Sequence, residues 1–123
     1  MGLVKVQSLK NQALIADKCH VAESFFDRLR GLIGRSGLEP GEGMFFPRCN
    51  DIHMWFMRFS IDVVFVNPDS RNENVFRVSS VHRGVRPWRP HPLIDWKASD
   101  TLELPAGTIE RFAIATGDEL CIN

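Results

Sequence analysis

The run SIDVVFV at residues 60–66 is the stretch that most directly predicts the fold. Its residues are mostly β-branched or aromatic, and such residues are enriched in β-strands. The turn-forming stretch NPDSRNEN follows it at residues 67–74. A short apolar run bounded by residues of this kind is typical of a strand. We therefore expect an extended conformation for residues 60–66.

The same alternation of short β-prone runs and turns recurs along the chain. Further β-prone runs are NVFRVSSV, TLELPA, RFAIA and ELCIN, separated by clusters of glycine, proline and aspartate. This pattern predicts a mostly β fold, with a small barrel-like or sandwich-like sheet. One segment differs, because the apolar residues of ESFFDRLRGLIG recur at helical spacing. It predicts one short covering helix near residues 22–33.

Size and charge narrow the class of protein. A chain of 123 residues with 44% hydrophobic content can form one domain, residues 1–123, with its own core. Fifteen basic and fifteen acidic side chains cancel, so no nucleic-acid partner is expected from the overall charge. Three widely spaced cysteines, the lack of an apolar N-terminal signal and the lack of an apolar run of about 20 residues predict a cytoplasmic protein without a membrane span.

The stretch CNDIHMWFM at residues 49–57 raises the question of a metal site. In a helix, Cys49, His53 and Met57 would share one face, and a soft metal could bind there. In a strand, successive members would lie about 13 Å apart, which is too far for ligands of one ion. The aromatic and β-branched composition favours the strand, so we predict no metal and no cofactor. His53 is then either a hydrogen-bonded histidine beside the core or a ligand-binding residue.

Asp62 lies inside an apolar run and therefore needs an explanation. A buried carboxylate must be paired, hydrogen-bonded or protonated. One interpretation is a buried ion pair with Arg30 or Arg58. The other is a functional acid or base with a raised pKa.

A basic, aromatic stretch follows, RVSSVHRGVRPWRPH at residues 77–91. Its prolines and glycine predict a long loop in the second half, and long loops in compact domains are often functional. Arg86, Trp88 and Arg89 suit recognition of carboxylates or phosphates together with stacking. The alternative is a solvated loop that is anchored by a buried Trp88. An anionic small ligand or an acidic peptide or protein partner fits this loop better than nucleic acid does.

Several short motifs follow one another along the chain: RGLIGR at 30–35, GMFF at 43–46, CNDIH and WFM within 49–57, IDVVFV at 61–66, LELPAG at 102–107 and GDEL at 117–120. By this ordered set the chain resembles the bacterial and archaeal domain of unknown function, family 192, from about Ala16 to the C-terminus. The resemblance implies a small, mostly β domain, and it carries over no established activity, cofactor or catalytic residue.

Three functional hypotheses follow. The first is a non-enzymatic binding module whose ligand-binding residues are His53, Asp62, Arg86, Trp88, Arg89 and Arg30. The second is a hydrolase-like enzyme in which His53 or Asp62 acts as general base, with or without a metal ion. It requires the two side chains to converge on one point. The third is a structural or assembly protein, which predicts an exposed apolar patch and an oligomer.

Overall fold

A computed structural model of the protein describes residues 2–23 and 35–123. Within these residues the chain forms nine strands and one four-residue helix. The strands are β1 (Leu3–Ser8), β2 (Leu14–Val21), β3 (Glu42–Phe46), β4 (Asp51–Ile52), β5 (Ile61–Pro68), β6 (Val75–Val85), β7 (Leu93–Ile94), β8 (Asp100–Pro105) and β9 (Glu119–Ile122); the helix is α1 (Thr108–Arg111).

Seven of these strands close a barrel in the order β1-β2-β3-β8-β5-β6-β9. β2 and β3 pair in parallel, whereas the other neighbours in the barrel pair antiparallel. β4 and β7 form a separate two-stranded sheet. The predicted mostly β, barrel-like fold is confirmed. The helix predicted near residues 22–33 lies outside the described residues, except for Ala22 and Glu23.

The β5 strand explains why residues 61–66 are apolar at almost every position. Its pairing with β8 keeps one register, from Ile61 opposite Pro105 to Val66 opposite Asp100. Side chains therefore alternate between the two faces of the sheet. Val64 and Val66 join the core inside the barrel, whereas Val63 joins a second apolar cluster on the outer face. Both faces are covered, so neither tolerates a run of polar residues.

The outer cluster is covered by two chain segments. Residues 49–59 supply Ile52, Met54 and Met57, and residues 93–98 supply Leu93 and Ala98. The β4–β7 pairing joins these segments, with Asp51 opposite Ile94 and Ile52 opposite Leu93. The extended conformation expected for residues 49–57 is thus limited to Asp51–Ile52.

The C-terminal part differs from the sequence prediction in one element. RFAIA at 111–115 was expected to be a strand, and this is wrong, because α1 ends at Arg111 and turns follow. Gly107, at φ 95°, turns the chain into α1, and Ile109 is fully buried against the barrel core. Burial of Ile109 at the barrel end therefore decides the local conformation. The described part of the chain contains no helix that could span a lipid bilayer.

Candidate functional site

An open groove follows the end of β6, and we call it the basic groove. It is lined by residues 81–90 and by Leu93. β6 ends at Val85, which pairs with Ile61, and the register shifts just before this pair. Gly84, at φ 57°, bends the strand there. Pro87, Pro90 and Pro92 cannot donate ladder hydrogen bonds, so the chain leaves the sheet and forms a loop beside it.

The basic groove is cationic. Arg83, Arg86 and Arg89 line it together with His82, and no acidic residue is among its lining residues. Arg83 and Arg86 are exposed. The Arg89 guanidinium donates one hydrogen bond from Nη1 to the His91 carbonyl oxygen at 2.8 Å, which orients it. A guanidinium held in this way can offer its other N–H groups to a carboxylate or phosphate.

Trp88 stands at the rim of the basic groove. Its side chain is 59% exposed, so it is not the buried anchor of the alternative interpretation. Its backbone adopts φ 60°, a conformation that is uncommon for a bulky residue, and its N–H donates to the Met54 carbonyl oxygen at 2.8 Å. Its ring meets the ring of Phe56 edge-to-face, with centroids 5.2 Å apart. One turn distant in sequence, residues 54–57, therefore contacts both the backbone and the ring of Trp88.

A polar network anchors the loop to β6. The hydroxyl groups of Ser79 and Ser80 donate to the Asp95 carboxylate at 2.8 Å and 2.7 Å. A register shift between Phe65 and Val66 on the facing strand marks a bulge at this point of β6. Ser80 Oγ also lies 3.1 Å from His82 Nε2. Loop residue Asp95 is thereby fixed beside the groove.

Burial sets the electrostatics of this network. Partial burial lowers the pKa of His82, and nearby Arg89 lowers it further, while Asp95 acts in the opposite direction. For Asp95, partial burial opposes ionisation, but the hydrogen bonds from Ser80 and Ser79 lower its pKa overall. His82 therefore tends to be neutral and Asp95 ionised, which leaves the arginines as the main cations of the groove.

His53 lies elsewhere, at a cavity of about 260 Å³ that Cys49, Ile52 and Glu103 also line. Its Nε2 is 3.7 Å from the Asp51 carboxylate, and its ring lies 5.2 Å from the ring of Trp55. Burial raises the pKa of the Cys49 thiol, so this cysteine is mostly protonated at neutral pH. The cavity therefore does not activate Cys49 as a nucleophile.

Asp62 is buried, with 1% of its surface exposed, and it faces the barrel interior beside Val64. Its Oδ1 accepts the N–H of Gly84 at 2.9 Å. Its Oδ2 accepts the N–H groups of Gly107 at 3.1 Å and Ile109 at 2.9 Å. Among the described residues Asp62 forms no ion pair with Arg58, so that prediction is wrong; backbone N–H groups from the end of β6 and the start of α1 bind the carboxylate. The alternative ion-pair partner, Arg30, lies outside the described residues.

The predicted site residues thus fall into separate places. Arg86, Trp88 and Arg89 come together at the basic groove. His53 follows Ile52 of the outer cluster, whereas Asp62 points to the opposite face of β5. The hydrolase hypothesis requires His53 and Asp62 to converge on one point, and they do not. Arg30 lies outside the described residues.

Among residues 2–23 and 35–123, no group of three His, Cys, Asp or Glu side chains is placed to hold a metal ion. Met57 is fully buried in the outer cluster, whereas Cys49 and His53 line the cavity. The period of four in the sequence therefore does not bring these three side chains to one point.

Sequence reasoning missed Trp55 and Phe56, which it treated as part of an apolar strand. The segment instead makes a turn in which Met54 and Met57 are buried, while Trp55 is 48% and Phe56 56% exposed. Phe56 adopts φ 68°. Nothing local signals this conformation, because glycine or asparagine usually marks such a position.

The comparisons with known proteins agree with the fold. The model of the DUF192 family, described as an "uncharacterized ACR", matches residues 5–122. A UPF0127 protein from Thermococcus sibiricus is 36% identical over 104 residues, which are 81% of this chain and 62% of that protein. The chain thus spans less than two thirds of this relative.

Two solved structures are similar. A proposed transcription regulator from Sinorhizobium meliloti has a TM-score of 0.76 at 22% identity, covering 97% of this chain and 91% of its own. A protein of unknown function from Novosphingobium aromaticivorans has a TM-score of 0.75 at 24% identity, covering 96% and 82%. At these identities the two structures show the fold alone. The family model spans nearly the whole chain, and by that match this protein belongs to the DUF192 family.

Proposed function

We propose that the protein is a non-enzymatic binding module that recognises an anionic group through the basic groove. The observation that carries the proposal is the concentration of Arg83, Arg86 and Arg89 in one open groove whose lining residues include no acid. Clustered positive charges of this kind attract anions, and arginine can bind a carboxylate or phosphate with two parallel hydrogen bonds. Trp88 adds a flat apolar surface at the rim.

The hydrolase alternative lacks a supporting arrangement among the described residues. Asp62 uses both carboxylate oxygens for backbone N–H groups and is separated from His53 by the sheet. Ser80, His82 and Asp95 are in contact, but the serine lies between the other two. A nucleophilic serine needs the histidine in the middle, so that the imidazole can take the hydroxyl proton. This network therefore supports the loop and not acyl transfer.

The binding proposal concerns Arg86, Trp88 and Arg89 of the six predicted ligand residues. His53 belongs to a different cavity, and Asp62 is committed to the backbone. The cytoplasmic location and the single-domain organisation of residues 1–123 stay predictions from the sequence.

A titration with simple anions tests the proposal. Amide NMR spectra of the whole protein would be recorded with inorganic phosphate and with a short polyglutamate peptide. We expect the shifted amides to cluster at residues 81–90. Replacing Arg86 or Arg89 with alanine should weaken binding about fivefold each, the factor that ~1 kcal/mol represents for an exposed ionic contact.

Arg71→Ala is the matched control. Arg71 is 86% exposed and pairs with Asp69 in the turn between β5 and β6, away from the basic groove. This variant removes the same charge and should bind both probes like the wild type. Equal affinity of the Arg86, Arg89 and Arg71 variants would show that the anions bind elsewhere. Native mass spectrometry of protein purified without an affinity tag would show whether a natural anion remains bound.

A further inference from the structure

Three exposed aromatic side chains form a surface beside the basic groove, and we call it the aromatic patch. It consists of Trp55, Phe56 and Trp88, with exposures of 48%, 56% and 59%. Trp55 and Phe56 occupy a turn that Met54 and Met57 anchor from below, since both methionines are buried. The Phe56 and Trp88 rings touch edge-to-face. Water thus contacts the paired rings of Phe56 and Trp88 and the neighbouring side chain of Trp55.

The exposure is built into the backbone. Phe56 and Trp88 adopt φ 68° and φ 60°, a region that side chains with a Cβ rarely occupy. The hydrogen bond from the Trp88 N–H to the Met54 carbonyl oxygen ties the loop to the turn. Strained residues held by their surroundings occur preferentially at binding sites. The two rings are therefore presented to solvent in fixed positions.

From this arrangement we infer that the protein binds an acidic peptide segment that carries apolar side chains. The inference rests on the proposed function, because the acidic groups would occupy the basic groove. Trp88 belongs to both surfaces, so a ligand at the arginines lies next to the aromatic rings. Rigid aromatic side chains offer a large contact area at little entropic cost, and with arginine they dominate binding energies at protein interfaces.

A peptide fits these surfaces better than other anions do. A small anion at Arg86 or Arg89 would leave Trp55 and Phe56 in water, and an open groove would leave much of a small ligand wet. Single-stranded nucleic acid also stacks on aromatic rings, but its affinity depends on neutralising many phosphates. The chain has no net charge with which to do so. A segment with a few carboxylates and an apolar side chain matches both surfaces.

The experiment compares two synthetic peptides of equal length, one of glutamates with two phenylalanines, the other with serine in place of phenylalanine. Fluorescence anisotropy would measure the affinity, and amide NMR would locate the contact. We expect the first peptide to bind about tenfold more tightly than the second. Phe56→Ser should remove this tenfold difference. Phe56→Gly is a second variant, because glycine adopts the backbone conformation of residue 56 without strain.

Trp96→Ser is the matched control, since Trp96 is 84% exposed and belongs to neither surface. It should bind both peptides like the wild type. If Phe56→Ser has no effect while Arg86→Ala weakens both peptides, the aromatic patch is not part of the site, although the proposed function stands. If neither Phe56→Ser nor Arg86→Ala changes the affinity for the peptides, both proposals are wrong.

Two other results would also overturn the inference. Tighter binding of an oligothymidylate than of the phenylalanine peptide would identify nucleic acid as the occupant. Self-association of the wild type that Phe56→Ser abolishes would show that a second copy of the chain covers the patch. Light scattering coupled to size-exclusion chromatography would detect that outcome.

Discussion

Substitution of Asp62 separates a structural role from a ligand-binding one. The carboxylate accepts hydrogen bonds from three backbone N–H groups, those of Gly84, Gly107 and Ile109, and is itself 1% exposed. It thereby joins the end of β6 to the start of α1. Without an acceptor these N–H groups would lose their partners inside the protein, and each such loss costs about 1–3 kcal/mol when the group stays dry.

The expected magnitudes follow from this count. Asp62→Ala removes all three acceptor contacts, and partial rehydration of the two glycine N–H groups limits the loss to about 3–5 kcal/mol. Asp62→Asn keeps one oxygen but turns an NH₂ group towards backbone donors. We therefore expect its free energy of unfolding to fall by about 2–3 kcal/mol. Losses of this size are a large part of the 5–15 kcal/mol typical of a folded domain.

The measurement is urea unfolding followed by far-ultraviolet circular dichroism. Tryptophan fluorescence is a poor probe, because Trp55, Trp88 and Trp96 are all exposed in the folded protein. Asp17→Asn removes the same charge from an exposed position of β2 and should stay within about 0.5 kcal/mol of the wild type. If Asp62→Asn behaved like this control, the hydrogen bonds would not be stabilising, and a functional role for Asp62 would have to be considered again.

Two further predictions concern the loop and the turn. Phe56→Gly should be about 1 kcal/mol more stable than Phe56→Ala in urea unfolding, because both lack the ring but only alanine keeps the strain of φ 68°; equal stabilities would contradict it. Burial lowers the pKa of His82, so the unfolded chain binds more protons there, and the free energy of unfolding should fall as the pH drops below the unfolded pKa of about 6.5. His82→Gln should reduce this decrease between about pH 7.5 and pH 5.5, and an unchanged decrease would assign it to other groups.

The sequence predicts the β fold well because its signals are local. Residues 60–66 are apolar and β-branched, and the strand β5 (Ile61–Pro68) is where they predict one. The loop after Val85 is also predicted by its prolines, and its positive charge is visible in the sequence as Arg86 and Arg89. Arg86, Trp88 and Arg89 are close in sequence, so any conformation of the loop keeps them close in space.

The remaining features depend on contacts between distant segments. His53 and Asp62 are nine positions apart, yet the alternation of β5 places Asp62 inside the barrel, while the segment of His53 covers the outside. The N–H groups that bind Asp62 lie 22, 45 and 47 positions away in the sequence. No local sequence pattern could therefore show that Asp62 binds backbone N–H groups and not an arginine side chain. RFAIA also has strand composition, but burial of Ile109 and the turn at Gly107 override it.

The chain's own residues determined a small β protein with a cationic loop, because strand propensity and charge are properties of neighbouring residues. Tertiary structure alone decided that Asp62 binds backbone N–H groups and that CNDIHMWFM ends in an exposed aromatic turn. It also decided that Phe56 meets Trp88 beside the arginines. These contacts form when the barrel closes and its outer face is covered. Closure brings together residues that are far apart in the sequence, and neither helix nor strand periodicity reveals such proximity.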